Sequence, residues 1–561
     1  MSQRGVIGYV TQSYSPILAE AVSDTPVPIG SYVYAEFDVR DRVSGSLITR
    51  RVIGVVTNAG YQPAMPLSTL ALLREDTDPS KIKTPKYSPM NIYVIADVSE
   101  KEASPPLYPV PPNTPIYLVL SIQPSPLEKV YKRPDLFNGL LRIGSLARLE
   151  SIDVAIDVNK LHKHLLITGA TGSGKSNAVA VIADRLSMLG APVIIFDVHG
   201  EYVNLEPEDG RVDKIEVIKA EINPLSINIE ALTHMIIRDP QATRQRRIFR
   251  KLMRSLVKQL RKIAQDKNID PKLAIEELFQ SLLKTQQSRI LDLADDYFGT
   301  DQIDQVVKMD YTKKLILLIA FEIKNGQLVK QIKQSDSKSR EGIEERFLDF
   351  VWSYPILNLD AIDPVSKISP GKIIVYDVST LTDDQKAWLL RLLADNLLEN
   401  LKNRYKGRHI LPTVLVVEEA PLFISAYSSS VAKESLRRFA REGRKFGGVL
   451  VIASQRPRTL DPDISSQIQN FLFLKLVQQE DIKSVMSIAD NLEESLARTL
   501  PSLPTGWGIV MGEWIGRFPA LVAVDKHRGK RLGASPDFVN EWRKGLESVE
   551  KRDLRPSEFN F

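Results

Sequence analysis

Three clusters in this chain of 561 residues have the residue types and spacing for chemistry. The first is Gly169-Ala170-Thr171-Gly172-Ser173-Gly174-Lys175-Ser176, with Asn177 following. Glycines spaced in this way let a backbone curl until its N–H groups converge on a polyphosphate. The apolar run Leu165–Thr168 precedes the loop and a helical pattern over 177–189 follows it. A phosphate held there would sit at the positive end of a helix dipole. Lys175 has the reach for β- and γ-phosphates, and the Ser176 hydroxyl is a ligand type for Mg²⁺. Residues 169–177 are therefore read as the cradle of a nucleoside triphosphate, with ATP and Mg²⁺ as the expected cofactors. The alternative, a glycine-rich turn with no ligand, does not explain why the pattern lies between a strand and a helix.

The second cluster is Glu418-Glu419-Ala420, directly after the apolar run Thr413–Val417. Two acids at the end of a buried strand, downstream of a phosphate loop, suit metal-assisted phosphoryl transfer. Glu418 is expected to orient the Mg²⁺ shell and Glu419 to activate the attacking water. The third cluster spans residues 431–458. It holds eight cations (Lys433, Arg437, Arg438, Arg441, Arg444, Lys445, Arg456, Arg458) against Glu434 and Glu442, a net +6. Its pattern predicts a helix over 434–441, a glycine-bearing turn over 443–448 and a strand over 449–453. Gln455, just past that strand, could sense a γ-phosphate or hold the water. A guanidinium from this segment could offset charge as a phosphoryl group transfers. A fourth run, residues 192–197, ends in Asp197-Val-His199-Gly-Glu201-Tyr202. It places Asp197, His199 and Glu201 near the phosphates, with a plain turn an equal reading for His199.

Strand, loop, helix, strand is the beginning of a parallel α/β sheet, in which ligands gather at the carboxyl ends of strands. Residues 126–202 and 371–530 carry this pattern and are read as one interrupted core. Residues 203–370 break it. Here 241–267 predicts an amphipathic helix with ten cations (Arg244, Arg246, Arg247, Arg250, Lys251, Arg254, Lys258, Arg261, Lys262, Lys267) and one acid, Asp266, a net +9. Further helices are expected over 273–283 and 313–324, and a polar loop over 334–341, so this region reads as a helical insertion. Such a basic stripe is more often a solvated face than a phosphate contact. Residues 1–125 read as short β segments at 5–10, 32–39, 51–57, 92–98 and 116–122, suggesting a small barrel or sandwich with no catalytic cluster. Residues 105–115 hold six prolines and predict a stiff connection. The strand expected over 152–158 would place this β domain against the core. Residues 531–561 read as a polar tail lying over a neighbour.

Composition narrows the classes further. With 25% charged and 43% hydrophobic residues the chain is ordinary for a globular protein. It contains no cysteine, which excludes disulfides, thiolate metal sites and cysteine nucleophiles. The start lacks the apolar core of a signal peptide, and the longest apolar runs fall short of a membrane span. A cytoplasmic location with no membrane partner is expected. The net charge of +5 is small, so its distribution matters more than its sum.

In order along the chain, the loop ending in Lys175-Ser176, Asp-Val-His-Gly-Glu-Tyr202, Val-Val-Glu-Glu-Ala420, Arg-Glu-Gly-Arg-Lys-Phe-Gly447 and Ser-Gln-Arg-Pro457 resemble the HerA branch of the HerA/FtsK family of ring ATPases. The resemblance covers the core, and the β domain before it is similar to that family's HAS-barrel. It implies an α/β fold: a RecA-like P-loop NTPase core with an N-terminal HAS-barrel-like domain. It further implies a homo-hexamer with DNA, double-stranded by expectation, in a central pore, and ATP hydrolysis between subunits. In archaeal members the ring works with a NurA nuclease in resecting DNA ends. Arg444 is carried over as the finger acting in trans, with Arg441 as second choice; Lys175, Glu419 and Gln455 complete the expected catalytic set. Glu418 stands where many P-loop enzymes have Asp. A conjugation or packaging motor, a nucleotide-gated scaffold for a nuclease, and a defence-system ring remain as alternatives.

Overall fold

The computed structural model describes residues 5–529 apart from 41–44, 61, 64–85, 122–124, 132, 240, 326–336, 354–355, 404–409, 490 and 517. The tail expected over 531–561 lies outside the described residues.

The N-terminal region is the barrel of the two forms expected. Strands β1 (Val6–Ser15), β2 (Leu18–Ser23), β3 (Tyr32–Arg40), β4 (Leu47–Ala59), the two-residue β5 (Gln62–Pro63), β6 (Lys86–Asp97) and β7 (Pro115–Leu118) pair in the order β2-β1-β7-β3-β4-β6-β5. Pairing of β2 with β6 closes the sheet on itself, so the long strands have no open edge. Alternation sets its inside: Val33, Ala35 and Phe37 of β3 meet Val10, Ile92, Val94 and Ile116 in an apolar interior. The opposite face, with Tyr32, Ile53, Val55 and Tyr93, packs into the main core. β2 has no clear sequence signature, because Leu18-Ala-Glu-Ala-Val-Ser23 carries little β-branched character. The run 116–122 ends as a strand at Leu118 and turns into a 3₁₀ segment, Val119–Ser121.

The second sheet is 11-stranded: β8 (Leu140–Leu146), β9 (Leu149–Asp157), β10 (Leu165–Thr168), β11 (Val193–Asp197), β12 (Ile215–Lys219), β13 (Ile373–Asp377), β14 (Thr413–Val417), β15 (Gly448–Ser454), β16 (Asn470–Leu474), β17 (Trp507–Gly512) and β18 (Ala520–Val524). The order is β12-β13-β11-β14-β15-β10-β16-β17-β18-β8-β9. From β12 to β16 every pairing is parallel, and these strands are continuous apolar runs because helices cover both faces. The remaining pairings are antiparallel. The strand expected over 152–158 belongs to β9, the edge of this sheet. The barrel meets this sheet at β18, where the Tyr32 hydroxyl accepts from the Leu521 N–H at 3.2 Å, and at the turn between β8 and β9, where Arg148 Nε donates to the Ile29 carbonyl at 2.8 Å.

Helix α1 (Lys175–Met188) follows the loop and buries Ala178, Val179, Ile182 and Leu186. Between β12 and β13 lies the helical insertion: α2 (Ile229–Ile236), α3 (Thr243–Lys267), α4 (Pro271–Thr285), α5 (Gln287–Phe298), α6 (Tyr311–Asn325) and α7 (Ser337–Ser353). β12 falls inside the window read as insertion yet pairs in the core sheet, so the helices begin later, at Ile229. The polar loop expected over 334–341 is corrected from Ser337 onward, where α7 begins; residues 334–336 lie outside the described residues. Two further helices flank the acid-bearing strand, α8 (Asp383–Lys402) and α9 (Lys433–Phe446). Among the described residues no helix is long and apolar enough to cross a membrane.

A candidate nucleotide site at three strand ends

β15 lies between β10, which leads into the glycine loop, and β14, which leads into the acid pair. Thr168 sits opposite Ser454, and Val417 opposite Ile452, so the loop, Glu418 and Gln455 emerge at the same end of the sheet. The loop is tightly folded. A Cβ on Gly169 would lie 2.4 Å from the Ser173 Oγ, and Gly174 has φ +102°, so neither position accepts an ordinary side chain. The Lys175 ammonium donates to the carbonyls of Gly169 at 2.9 Å and Ala170 at 3.4 Å, which folds it back over the loop. Among the described residues the N–H groups of Gly172, Gly174, Lys175 and Ser176 meet no backbone acceptor. The hydroxyls of Thr168 and Ser173 are buried without partners. Unpaired donors at a helix start, with one cation above them, suit an anion.

Opposite the loop stand four acids, Glu418, Asp197, Glu201 and Glu419, and burial raises the carboxyls of the first two. Glu418 is 5% exposed, and its carboxyl is pushed up to about 8, by burial first and then by Glu201, Asp197 and Glu419. The Tyr202 hydroxyl donates to Glu418 Oε1. Asp197, also raised by burial, is held by the N–H groups of His199 (3.3 Å), Glu201 (3.1 Å) and Tyr202 (2.8 Å). One oxygen of Glu201 is buried without a partner. Burial lowers the Lys175 ammonium, opposed by Glu419, Glu418 and Glu201. The donors are all oxygens, which fits a hard divalent cation. Among the described residues no group of three His, Cys, Asp or Glu is placed to hold a metal ion. His199 has an exposed side chain; its N–H, rather than its ring, serves the cluster.

Glu419 has φ +42°, a sparsely populated conformation for a residue with a side chain. Its Oε1 accepts from Gln455 Nε2 at 2.5 Å, and Gln455 Oε1 accepts from the Thr171 hydroxyl at 2.7 Å. Loop, glutamine and acid thus form one relay. The Asn177 side chain is committed elsewhere: it donates to the Asp525 carbonyl at 2.7 Å and accepts from the His527 N–H at 3.0 Å.

The arginine segment differs from expectation. The helix does not stop at residue 441; α9 runs to Phe446, ended by Gly447 at φ +88°, so Arg444 lies in its last turn. Most of its cations are tied. Arg437 forks onto Asp461 at 3.0 and 2.6 Å, Lys433 reaches Asp461 at 3.3 Å, Arg438 meets Asp395 at 2.9 Å, and Arg441 lies 3.6 Å from Glu434. Arg444 is exposed and pairs with no carboxylate among the described residues. Nor does any hydrogen bond or ion pair among them join it to the pocket of its own chain. Behind it, His164 is 0% exposed. Its Nδ1 accepts from the Leu450 N–H at 3.0 Å, so Nε2 carries the proton and donates to the Ala440 carbonyl at 2.7 Å, one turn before Arg444. The carbonyl of His164 accepts from Asn470 Nδ2 at 2.9 Å. One residue at the head of β10 therefore fixes β15, β16 and α9. His164, Tyr202 and the Thr171 hydroxyl are the site residues whose parts the sequence did not reveal; only a histidine among apolar neighbours at a strand start hinted at the first.

A parallel sheet with a glycine loop and an acid pair at the ends of two strands that flank a third, which ends in a polar residue, defines a P-loop NTPase with a RecA-like core. The family model for the central domain of helicase HerA matches residues 141–397. A DNA double-strand break repair helicase HerA of Sulfurisphaera tokodaii is 30% identical, over 97% of this chain and 98% of that protein. One of Saccharolobus solfataricus is 28% identical over 97% of each. Among solved structures, VirB4 of Thermoanaerobacter pseudethanolicus aligns with a TM-score of 0.42 at 17% identity, over 69% of this chain and 96% of that one. This chain belongs to the HerA family, and it is an ATP-hydrolysing enzyme.

Proposed function

We propose that this chain is the subunit of a homo-hexameric, ATP-driven DNA translocase or helicase. In this reading it threads DNA through a central pore and works with a NurA-type nuclease in resecting double-strand breaks. Residues 169–177 cradle the triphosphate and Lys175 offsets its β and γ charge. Glu419 Oε takes the proton of the attacking water, and Gln455 keeps that carboxylate aimed while monitoring the loop through Thr171. Ser176 and Glu418 would hold Mg²⁺, which when bound draws charge from the phosphoryl oxygens. Glu418 must then release its proton, and Tyr202 keeps the resulting carboxylate oriented.

The observation that carries the reading is Arg444: exposed, outside every ion pair among the described residues, and unconnected to its own pocket. An arginine placed so is free to complete the site of another copy, and head-to-tail contacts of that kind form a ring when the rotation between copies closes. The names of the relatives in this family support DNA as the substrate.

Subunit mixing tests the interface. Lys175→Ala and Arg444→Ala rings should each be inactive as ATPases. Mixed rings should recover activity, because about a quarter of their interfaces pair an intact pocket with an intact finger. If Arg444→Ala is fully active, or if mixing restores nothing, the shared site is wrong. Stimulation of the wild-type ATPase by duplex DNA tests the motor; a passive scaffold would show none.

A further inference from the structure

Helix α3 carries ten of the chain's cations, and the structure divides them. Arg246 donates to the carbonyls of Ile237 (2.9 Å) and Arg238 (2.8 Å), Arg250 pairs with Glu230 at 2.6 Å, and Lys267 with Glu277 at 2.5 Å. Arg244 is engaged as well. Six are left: Arg247, Lys251, Arg254, Lys258, Arg261 and Lys262 are all exposed and pair with no carboxylate among the described residues. At 3.6 residues per turn these six fall within an arc of about 100°, a line about 21 Å long from Arg247 to Arg261. The opposite face buries Phe249, Leu252, Met253, Leu256 and Leu260 against the insertion, so the helix cannot turn its cations away. A groove of about 500 Å³ runs beside the line, bounded by Ile229, Val257 and Gln265 as well as Arg254, Lys258 and Arg261.

A solvated face usually mixes both signs. Here like charges recur at three and four residues (247/251, 251/254, 254/258, 258/261, 258/262), and each such pair destabilises the helix that bears it. A polyanion would reverse that penalty. The face bears no aromatic side chain, so it has no platform for stacking unpaired bases. Regular phosphates on a stiff backbone match it better: duplex DNA presents one negative charge per about 1.7 Å of its axis, and side chains on a straight helix can follow such a row without reading bases.

We infer that the exposed face of α3 is a second, sequence-independent DNA contact, a track for the backbone of duplex DNA on the insertion and apart from the ATPase core. The inference rests on the reading of this chain as a DNA motor. The track adds affinity and guides the duplex, and it leaves the hydrolytic site alone.

The test uses the full chain with Lys251→Gln, Arg254→Gln, Lys258→Gln and Arg261→Gln combined. All four positions are exposed, so folding should be unaffected, and ATPase activity without DNA should match the wild type. Binding of a fluorescent 30-base-pair duplex is followed by anisotropy across a potassium chloride series. The variant should bind at least about tenfold more weakly at moderate salt. Its slope of log K against log salt should be shallower by up to about 3.6, which is 0.9 for each phosphate no longer neutralised. An unchanged slope overturns the track while leaving the motor standing. Failure of the wild type to bind any duplex would instead sink the motor reading itself. Labelled poly-L-glutamate is the control for an acidic protein partner: if the variant loses that polymer but keeps the duplex slope, the face is a protein-docking surface and the inference is wrong.

Discussion

Helices α3 and α9 look alike in sequence. Each puts apolar residues on one face and crowds arginine and lysine on the other. In the fold they part company. On α9, carboxylates arrive from elsewhere in the chain: Asp461 takes Arg437 and Lys433, and Asp395 of α8 takes Arg438. His164 pins the helix backbone at Ala440. Arg438 and Arg441 are exposed as well but paired, and Lys445 is engaged; Arg444 is the exposed guanidinium that enters no ion pair among the described residues, on a fixed mount. On α3 no such acids reach the outer face among the described residues, and six cations stay unpaired on flexible stems. The difference teaches that net charge on a helix does not distinguish a shaped charge from a diffuse one. The acids supplied by the rest of the fold do. A shaped charge suits one transition state; a diffuse one suits a repeating polyanion.

The sharpest way to break this contrast is to keep charge and change shape. Arg444→Ala should lower kcat for ATP by about 10³-fold or more, and Arg444→Lys should recover little of that, because an ammonium cannot reproduce a planar fork. On α3, Arg254→Lys with Arg261→Lys should leave duplex affinity within about twofold, since backbone attraction depends on charge number. Full ATPase activity in Arg444→Lys would erase the distinction.

A smaller effect is expected at the mount. His164→Gln can still donate to the Ala440 carbonyl, whereas His164→Asn reaches only the Leu450 N–H. The Asn variant should lose kcat by about 10²-fold, the scale of a misplaced catalytic group, with KM for ATP little changed, and Gln should rescue most of it. Mixed with Lys175→Ala subunits, the Asn variant should regain activity, because its pocket is sound and only its finger is displaced. No recovery in that mixture would place the damage in its own pocket instead. Stability should also depend on pH here. The folded ring titrates at about 4 because of burial, against an ordinary value of 6.5. The unfolded chain therefore binds the extra proton between those values, and stability falls as pH drops from about 6.5 through 4, by up to about 3 kcal/mol. Thermal melts across that window should show the fall, and His164→Gln should remove this part of it.

How far the sequence foretells these features follows from how local each one is. The glycine loop, the apolar strands and the acid pair are set by near neighbours, and β10, α1, β14 and Glu418-Glu419 stand where their pattern places them. α3 is legible from its 3.6-residue period. Its boundary with the core is not, because β12 is a strand only by virtue of pairing with β13, a segment more than a hundred residues on. Likewise α9 reads as ending at residue 441, since Gly443 interrupts its pattern. In the fold Gly443 is buried, and a Cβ there would meet the Phe439 ring at 3.5 Å, so the glycine serves close packing inside the helix. The Thr171–Gln455–Glu419 relay joins three parts of the chain and has no local signature at all. Strand ends brought side by side by a parallel sheet are visible only once strand order is known.

The smallest expected effects sharpen the comparison most finely, because they concern additivity. Lys251→Gln and Lys258→Gln on α3 should each make the salt slope of duplex binding shallower by about 0.9, and together by about twice that, since exposed cations on separate turns share no partner. On α9 the reverse holds. Arg437 and Lys433 both lean on Asp461, whose carboxyl is held below its ordinary range by these two cations against the pull of burial. Removing Asp461 already takes the forked pair from Arg437, which keeps only Asp463 at 3.3 Å and Glu434 at 3.7 Å, so Asp461→Ala with Arg437→Ala should cost the fold less than the sum of the two single changes, with a coupling of about 0.5–3 kcal/mol in a double-mutant cycle. Denaturant unfolding measures the second cycle and anisotropy the first. Additive stabilities at Asp461 and Arg437 would mean that α9 is not a fixed mount, and coupled slopes at Lys251 and Lys258 would mean that α3 binds through a defined pocket instead of along a line.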